Sequence, residues 1–345
     1  MNVRVLLLAI FWANQALTQG FSGLGTEAEG FAMPDPQHVI SFPQDHGAHP
    51  DFRIEWWYLT ATLEGDDGAQ YGVQWTLFRS AMRPGEGEGW QSPQVWMGHA
   101  AVTSAEEHHV AERLARGGIG QAGVISTPFE TFIDDWQMLA TGAGLEDMTV
   151  RARGADFAYD LALHATGPIV LQGDRGYSVK SPGGQASHYF SQPFYEVSGV
   201  VTLPDGPVAV TGQGWLDREW SSQPLAEDQS GWDWFSLSFD TGARLMGFGL
   251  RGAALFTSAT WIAPDGTPTP YGDGALQLTP LNHVEIEGRE VPTEWRVALP
   301  VRGVDVTVEA LNPQAWMGVS FPYWEGPISI AGSHTGRGYL EMTGY

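Results

Sequence analysis

One stretch decides the fold prediction, TGQGWLDREWSSQPLAEDQSGWDWFS, which runs from Thr211 to Ser236. It places Trp215, Trp220, Trp232 and Trp234 among carboxylates and an arginine. Large aromatic side chains give apolar walls, and a carboxyl held against such walls stays protonated near neutral pH because desolvation disfavours its charged form. The stretch therefore predicts a lined cavity rather than a plain hydrophobic core.

Alternation within this stretch places carboxyls on one face of an extended strand. Period two puts Trp215, Asp217 and Glu219 on the same face. If that face points into a barrel, the carboxyl of Asp217 or Glu219 lies against an aromatic wall of the cavity. Alternatively, Asp217 or Glu219 forms a salt bridge with Arg218 or with another arginine at a barrel end. The sequence leaves both interpretations open.

Two aromatic hairpins occur in the two halves of the chain. Ile54 to Leu63 and Gln70 to Arg79 flank the turn GDDG, and Gly231 to Phe239 and Arg244 to Arg251 flank DTGA. Paired tryptophans, an acidic turn with glycine and a glycine-containing return strand follow in the same order. This order predicts an internal duplication; the alternative is that any aromatic hairpin has these features.

The composition favours an all-β protein with an uncharged ligand. Gly 44, Pro 22 and Trp 15 in 345 residues favour short strands joined by turns. The formal net charge of -23 argues against a nucleic-acid partner and against anionic substrates. With no cysteine, the chain has neither disulfides nor thiolate chemistry.

Residues 106–116 are predicted to form one short helix.

The chain is predicted to begin with targeting and linker segments. The apolar run VLLLAIFW follows a weakly basic start and is too short to span a bilayer. We predict a cleaved signal peptide at residues 1–19, export to the periplasm or outside the cell, and a linker at 20–37. Two antiparallel β-barrel domains follow, at 38–212 and 213–345. A barrel of about eight strands is wide enough for one small ligand.

Other motifs were weighed against simpler interpretations. Gly118, Gly120 and Gly123 match G-x-G-x-x-G, but no apolar strand precedes them, so a nucleotide site is rejected. The residues Asp45, His46 and His49 either begin a metal site, completed by a further histidine, or pin a loop through hydrogen bonds. The run QGDRGYSVK is either a loop over a cavity mouth or an ordinary turn.

Six motifs carry a resemblance to a known family: FPQDHGAHPDFRIEWWYLTATL, QGDRGYSVK, ASHYFSQP, GWLDREWSSQPL, GWDWFSLSFDTGARLM and GYLEMTGY. From Phe42 to Tyr345 the sequence resembles the carotenoid 1,2-hydratase-like family, which includes AttH-type proteins often labelled predicted secreted hydrolases. The resemblance implies two lipocalin-like barrels packed side by side, with a tunnel or cleft for an apolar ligand. It also implies water addition to an acyclic carotenoid without metal or organic cofactor.

The resemblance also implies an active-site pattern, a His-x-aromatic pair followed by an aromatic-x-Asp pair. His188 with Phe190 and Trp215 with Asp217 occupy these positions. The family hydratases carry Trp at position 190 and Tyr at position 215, so carotenoid specificity does not transfer. We predict Asp217 as the acid and His188 as the group that orients or deprotonates water. The predicted substrate-binding residues are Phe190, Trp215, Trp220, Glu219, Trp57, Trp232 and Trp234.

The leading functional prediction is an exported enzyme that acts on a hydrophobic isoprenoid or lipid-like substrate by acid-assisted water addition or by hydrolysis. The alternative is a non-catalytic carrier of an apolar ligand, and a weaker one is a cyclase-type catalyst on a polyene. An apolar small molecule is the expected partner, with contact to a membrane as a route to collect it. Convergence of Asp217 and His188 across one apolar cavity would favour the enzyme; separation would favour the carrier.

Overall fold

The structure, a computed structural model, describes residues 28–142, 144–223, 225–226 and 228–345. The predicted signal peptide and residues 20–27 of the predicted linker lie outside the described residues. Within the described ranges, no helix has both the length and the apolar character needed to cross a membrane. Three short 3₁₀ helices, Gln44–His46, Gly89–Gln91 and Pro300–Arg302, accompany the strands of the described chain.

In the described part of the chain, thirteen strands form a first antiparallel sheet. They are β1 (Ile54–Gly65), β2 (Gln70–Ala81), β3 (Gln94–Thr103), β4 (His108–Arg116), β5 (Ala122–Ser126), β6 (Phe129–Ile133), β7 (Trp136–Ala140), β8 (Asp147–Arg153), β9 (Ala158–Ala165), β10 (Val170–Leu171), β11 (Tyr177–Val179), β12 (Ala186–Leu203) and β13 (Gly206–Ser221). The order is β4-β3-β2-β1-β13-β12-β9-β8-β7-β6-β5, and β10 and β11 pair with β12.

Ten strands form a second antiparallel sheet among the described residues. They are β14 (Gly231–Phe239), β15 (Arg244–Arg251), β16 (Phe256–Ile262), β17 (Pro268–Tyr271), β18 (Gln277–Ile286), β19 (Arg289–Leu299), β20 (Val304–Ala310), β21 (Trp316–Met317), β22 (Tyr323–Gly332) and β23 (Gly336–Met342). The order is β17-β16-β15-β14-β23-β22-β20-β19-β18. Both sheets thus join their first hairpin to their last strand, which matches the repeated order of features in the sequence.

The first sheet curls into a nearly closed barrel, and the second forms a half-barrel. Strands β3 and β4 come back into contact with β6 without hydrogen-bonded pairing between them. Gly98 on β3 permits this approach, because a Cβ at this position would lie 2.7 Å from Cγ2 of Ile133. The barrel interior is filled by large apolar side chains, including Trp57, Trp75 and Trp136. The all-β prediction is confirmed.

The predicted helix at 106–116 is wrong, because this segment contains β4. It pairs with β3 from Val95 opposite Arg116 to Thr103 opposite His108. Glu, Ala, Leu and Arg favour helices on their own, but intrinsic propensity is a weak preference that tertiary pairing overrides. Here the edge of the first sheet supplies backbone partners for the whole segment.

The change from one sheet to the other lies later than the predicted division at 212/213. That division falls inside β13, whose residues 210–221 pair with β1 and whose residues 206–220 pair with β12, apart from an irregularity at Trp215. The second sheet begins with β14 at Gly231. The stretch TGQGWLDREW therefore completes the first barrel and does not start the second.

Each face of β13 packs against a different apolar cluster. Leu216 and Trp220 belong to the core of the first barrel. Trp215 points the other way and packs in a separate cluster between the sheets, together with Tyr189 of β12 and Trp234 of β14. This second cluster leads to a cleft where the two sheets meet.

Candidate active site

The candidate active site is a cleft between the two sheets with mainly aromatic walls. The space between the walls is about 710 Å³, including the part open to solvent. The first sheet and its loops supply Trp56, Tyr58, Phe78, Lys180, Tyr189, Asp217 and Glu219; the second sheet supplies Trp232, Trp234, Phe248, Leu250 and Glu341.

Asp217 is held in this wall by three hydrogen bonds. Its Oδ1 accepts from Nε1 of Trp215 at 2.7 Å and from Oγ of Ser191 at 2.5 Å, and its Oδ2 accepts from the hydroxyl of Tyr189 at 2.6 Å. Only 2% of the residue is exposed. Burial raises the pKa of Asp217 to about 7, although the three hydrogen bonds oppose the shift. The carboxyl therefore exchanges a proton near neutral pH.

The Tyr189 hydroxyl connects Asp217 to the second sheet. It accepts a hydrogen bond from Nε1 of Trp234 at 3.1 Å while it faces the carboxyl of Asp217. When Asp217 is ionised, its Oδ2 accepts from the Tyr189 hydroxyl. When Asp217 is protonated, the proton belongs on Oδ2 because Oδ1 already accepts two donors, and the hydrogen bond reverses so that Oδ2 donates to the Tyr189 oxygen. In the protonated state the Tyr189 oxygen accepts from both Asp217 and Trp234, so the proton of Tyr189 no longer serves Asp217, and Tyr189 itself lines the cleft.

A second carboxyl, Glu341 on β23, lines the same cleft. Its Oε1 accepts a hydrogen bond from Nε1 of Trp232 at 2.6 Å. Burial raises the pKa of Glu341 to about 7, opposed by the Trp232 hydrogen bond and reinforced by the negative charges of Asp217 and Glu219. Two neighbouring carboxyls that repel each other favour a state in which one is protonated and one is ionised.

Behind Glu341, the hydroxyl of Tyr58 donates to Oε1 of Glu325 at 2.5 Å. Glu325 lies opposite Glu341 in the register of β22 and β23. Burial, followed by the charge of Glu341, raises the pKa of Glu325 well above the ordinary carboxyl value.

The cation on the cleft wall is already paired. Nζ of Lys180 lies 2.7 Å from Oε1 of Glu219, and it also lies over the ring of Phe248, 4.2 Å from the ring centre. Ser187 donates to the same carboxylate oxygen at 2.5 Å. Glu219 is thus held in an ion pair with Lys180.

The structure separates the predicted pair of His188 and Asp217. In the register of β12 and β13, His188 lies opposite Trp220, whereas Asp217 lies opposite Ser191. Side chains of directly opposed residues share a face, and successive residues alternate. His188 therefore faces the interior of the first barrel while Asp217 faces the cleft, so the two side chains do not converge across one cavity.

His188 is enclosed by aromatic rings at the barrel end. Its ring centre lies 4.6 Å from that of His38 and 5.2 Å from that of Trp220, and its Nε2 accepts from the backbone N–H of Asp35 at 3.3 Å. Burial, followed by neighbouring histidines, lowers the pKa of His188 to about 4. Of the predicted substrate-binding residues, Phe190, Trp220 and Trp57 also belong to the barrel core.

Four other predicted residues are at or beside the cleft. Glu219, Trp232 and Trp234 line it directly, and Trp215 stands behind the wall as a hydrogen-bond donor to Asp217. The predicted binding role of these residues stays a prediction.

The alternative ion pair between Arg218 and a cleft carboxyl does not form. Arg218 lies inside the barrel, 4.0 Å from the ring centre of Trp57, and pairs with Glu55. Glu55 also pairs with Arg79. Burial alone would raise the pKa of Glu55, but the two guanidinium groups hold it below its usual value.

The Asp45 and His49 side chains tie the preceding loop to β1. His49 contacts Oδ1 of Asp45 through Nε2 at 3.0 Å and Oε2 of Glu55 through Nδ1 at 3.2 Å. Asp45 also accepts from the backbone N–H of Ser41 at 2.7 Å. This is the loop-pinning arrangement. Among the residues that the structure describes, no cluster of three or more ligand side chains is arranged for a metal ion.

Sequence reasoning missed Tyr58, Tyr189, Lys180 and Glu341. Each lies in a motif that carried the family resemblance, EWWYLTATL, ASHYFSQP, QGDRGYSVK and GYLEMTGY respectively. Period two within EWWY could have indicated that Tyr58 shares a face with the first tryptophan and not with Trp57. The segment QGDRGYSVK does border the cleft, since Lys180 lies on its wall.

An all-β fold of two antiparallel sheets, with an acidic and aromatic cleft between them, defines the class of protein. The chain belongs to the AttH-like family, whose profile matches residues 33–345. An AttH-type protein of Nitrosomonas europaea is 32% identical over 91% of this chain and 99% of its own, with a TM-score of 0.84. Kievitone hydratase of Nectria haematococca shares the fold at 16% identity and a TM-score of 0.67, over 91% of this chain and 98% of its own. No curated protein sequence matches the chain significantly.

Proposed function

We propose that the protein is an exported enzyme that adds water to a carbon–carbon double bond of a hydrophobic, isoprenoid or lipid-like substrate bound in the cleft. The observation that carries this proposal is the pair Asp217 and Glu341, a buried and a half-buried carboxyl that line one aromatic cleft and whose pKa values desolvation raises to about 7. A distant structural relative that is itself named a hydratase supports the same reaction class.

The proposed reaction begins with proton transfer to the alkene. Asp217 passes its proton to the oxygen of Tyr189, and Tyr189 delivers its own proton to one alkene carbon. The double bond supplies the electron pair for the new C–H bond, which leaves a carbocation on the other carbon. The indole faces of Trp232 and Trp234 line the space where this charge develops, and aromatic faces attract cations.

Capture by water completes the addition. Water attacks the cationic carbon and forms the C–O bond, and ionised Glu341 accepts the proton that the water releases. The sum is one water added across the double bond, with Asp217 left ionised and Glu341 left protonated. The same acid and base would serve hydrolysis if the substrate offered an ester in place of an alkene.

A carrier is the second candidate, and one observation favours it. His188, the expected partner of Asp217, lies on the other face of the sheet. A carrier would use the aromatic walls to hold an apolar molecule and would not need the proton affinity of either carboxyl.

Incubation with acyclic isoprenoids in H₂¹⁸O separates the candidates. An enzyme of the proposed type gives a product alcohol that contains the heavy oxygen, detected by mass spectrometry. A carrier returns the ligand unchanged. We expect Asp217→Asn to lower turnover by about 100-fold or more, as loss of a general acid commonly does. Asp160→Asn, an exposed carboxyl on β9, is the matched control. Full activity of Asp217→Asn would remove this residue from the mechanism.

A further inference from the structure

A row of five side chains crosses the outer face of the first sheet. Register pairs Asp217 with Tyr58, Tyr58 with Thr76, Thr76 with His99, and His99 with Glu112. Directly opposed residues of an antiparallel sheet have their side chains on the same face. All five side chains therefore lie on one face of the first sheet, from the cleft to the edge strand β4.

The far half of the row is a hydrogen-bonded chain. Nε2 of His99 lies 3.2 Å from Oε1 of Glu112, and Nδ1 of His99 lies 3.0 Å from the hydroxyl of Tyr323. Burial lowers the pKa of His99, although Glu112 opposes the shift. A neutral imidazole donates through one nitrogen and accepts through the other, which is what proton transfer along a chain requires. The side chain of Glu112 is 21% exposed, so the chain ends at solvent.

The second sheet bridges the two halves. Tyr323 and Glu325 lie two residues apart on β22, so their side chains share a face of the strand, and Oε2 of Glu325 is buried on that face without a hydrogen-bond partner among the described residues. On its other side, Glu325 accepts from the hydroxyl of Tyr58, which lines the cleft. The titratable groups around Glu325 are Glu341, Tyr58, Tyr323, Tyr339 and Tyr159.

We propose that Tyr58, Glu325, Tyr323, His99 and Glu112 form a proton path that joins the cleft to solvent at the outer edge of the first sheet. Each group passes one proton on and receives one, so no proton is gained or lost along the path. Each passage reverses the hydrogen bonds and exchanges the tautomer of His99, and reorientation of the hydroxyls and the imidazole restores the starting state. No oxidant or further reactant is needed.

The purpose assigned to the path rests on the proposed function. Each water addition leaves Glu341 with one proton too many and Asp217 with one too few. An apolar substrate or product in the cleft displaces the water that would otherwise carry protons away. The Tyr58 hydroxyl is also close enough to Glu341 to hydrogen-bond with it, so the path offers Glu341 an exit that does not cross the apolar space.

The existence of the path can be tested without any substrate. Glu325 is 1% exposed, and a protonated carboxyl at this site gives an infrared C=O band that shifts when its proton is replaced by deuterium. Loss of the band in Glu325→Gln assigns it. The measurement is the rate of this shift after rapid mixing of the full-length protein with D₂O.

The path has two entrances, the cleft at Tyr58 and the surface at Glu112. Tyr58→Phe closes the first and His99→Phe closes the second, so either variant alone should still exchange at a rate close to that of the wild type. The double variant should exchange at least about tenfold more slowly, because the proton then has to wait for local opening of the strands. Glu112→Gln is a surface change that leaves the core packing untouched. Combined with Tyr58→Phe, it should slow the exchange of the Glu325 proton, as His99→Phe does. His108→Phe, a neighbouring imidazole outside the row, should not.

Two results would overturn the proposal. Exchange in the double variant as fast as in Tyr58→Phe would show that protons reach Glu325 by general breathing of the fold. Exchange in Tyr58→Phe alone as slow as in the double variant would show that nothing enters from Glu112. Both exchange rates are measured without catalysis. If the exchange rates support the path but the protein incorporates no ¹⁸O, the proposed function is refuted and the path is not.

Discussion

Replacing Asp217 with asparagine should flatten the dependence of stability on pH, whatever the substrate. Burial raises the pKa of this carboxyl from 3.8 to about 7 in the folded protein. Between these values the folded protein holds a proton that the unfolded chain has lost. The free energy of unfolding therefore falls as pH rises through this window and levels off above it.

The expected size follows from the two pKa values. Between about pH 5 and about pH 8, a shift from 3.8 to about 7 lowers the free energy of unfolding by roughly 3 kcal/mol. Asparagine does not titrate, so this fall disappears in the variant. Its lost or altered hydrogen bonds cost about 1–2 kcal/mol at every pH and do not change the slope. The Asp217 charge also raises the pKa of Glu341, so the fall that remains from Glu341 becomes shallower.

The assay is urea-induced unfolding followed by tryptophan fluorescence at several pH values between about 5 and 8. Asp160→Asn is the control, since that carboxyl is exposed on β9 and its loss should leave the pH dependence of the wild type unchanged. An equal fall in the wild type and in Asp217→Asn would show that Asp217 is ionised in the folded protein well below pH 7. The reasoning that makes it a neutral acid would then be refuted.

Three further predictions concern the rest of the fold. Glu55→Gln should lower the free energy of unfolding by about 3–5 kcal/mol, because it leaves two buried guanidinium groups without their carboxylate; urea unfolding measures this, and a change below about 1 kcal/mol would contradict it. His188→Phe should keep turnover within about twofold of the wild type, since its ring faces the barrel core and not the cleft; a loss like that of a general acid, about 100-fold, would return it to the mechanism. Gly98→Val should destabilise the barrel by about 1–3 kcal/mol, because its Cβ would meet Ile133 at 2.7 Å. Gly142→Ala, with open space around its Cβ, should cost far less.

Much of the fold could be predicted because it depends on local pattern. Turn residues between aromatic, alternating segments located the β1–β2 and β14–β15 hairpins, and both are present. The segment 106–116 failed because its residues favour a helix while its strand partner, β3, is supplied by tertiary structure. The 212/213 domain division stays a prediction. It falls inside β13, which continues its pairing with β1 as far as Ser221, and the sequence of one strand does not show which strands it pairs with.

The sequence by itself determined that Trp215, Asp217 and Glu219 share a face, since alternation along one strand is a property of the backbone. Only the tertiary structure decided which residues of other strands share it. The register of β12 against β13 sets His188 opposite Trp220, and a slip of one residue would have turned it toward the cleft. For the same reason Glu341, on the last strand of the second sheet, reaches the site only through the packing of one sheet against the other.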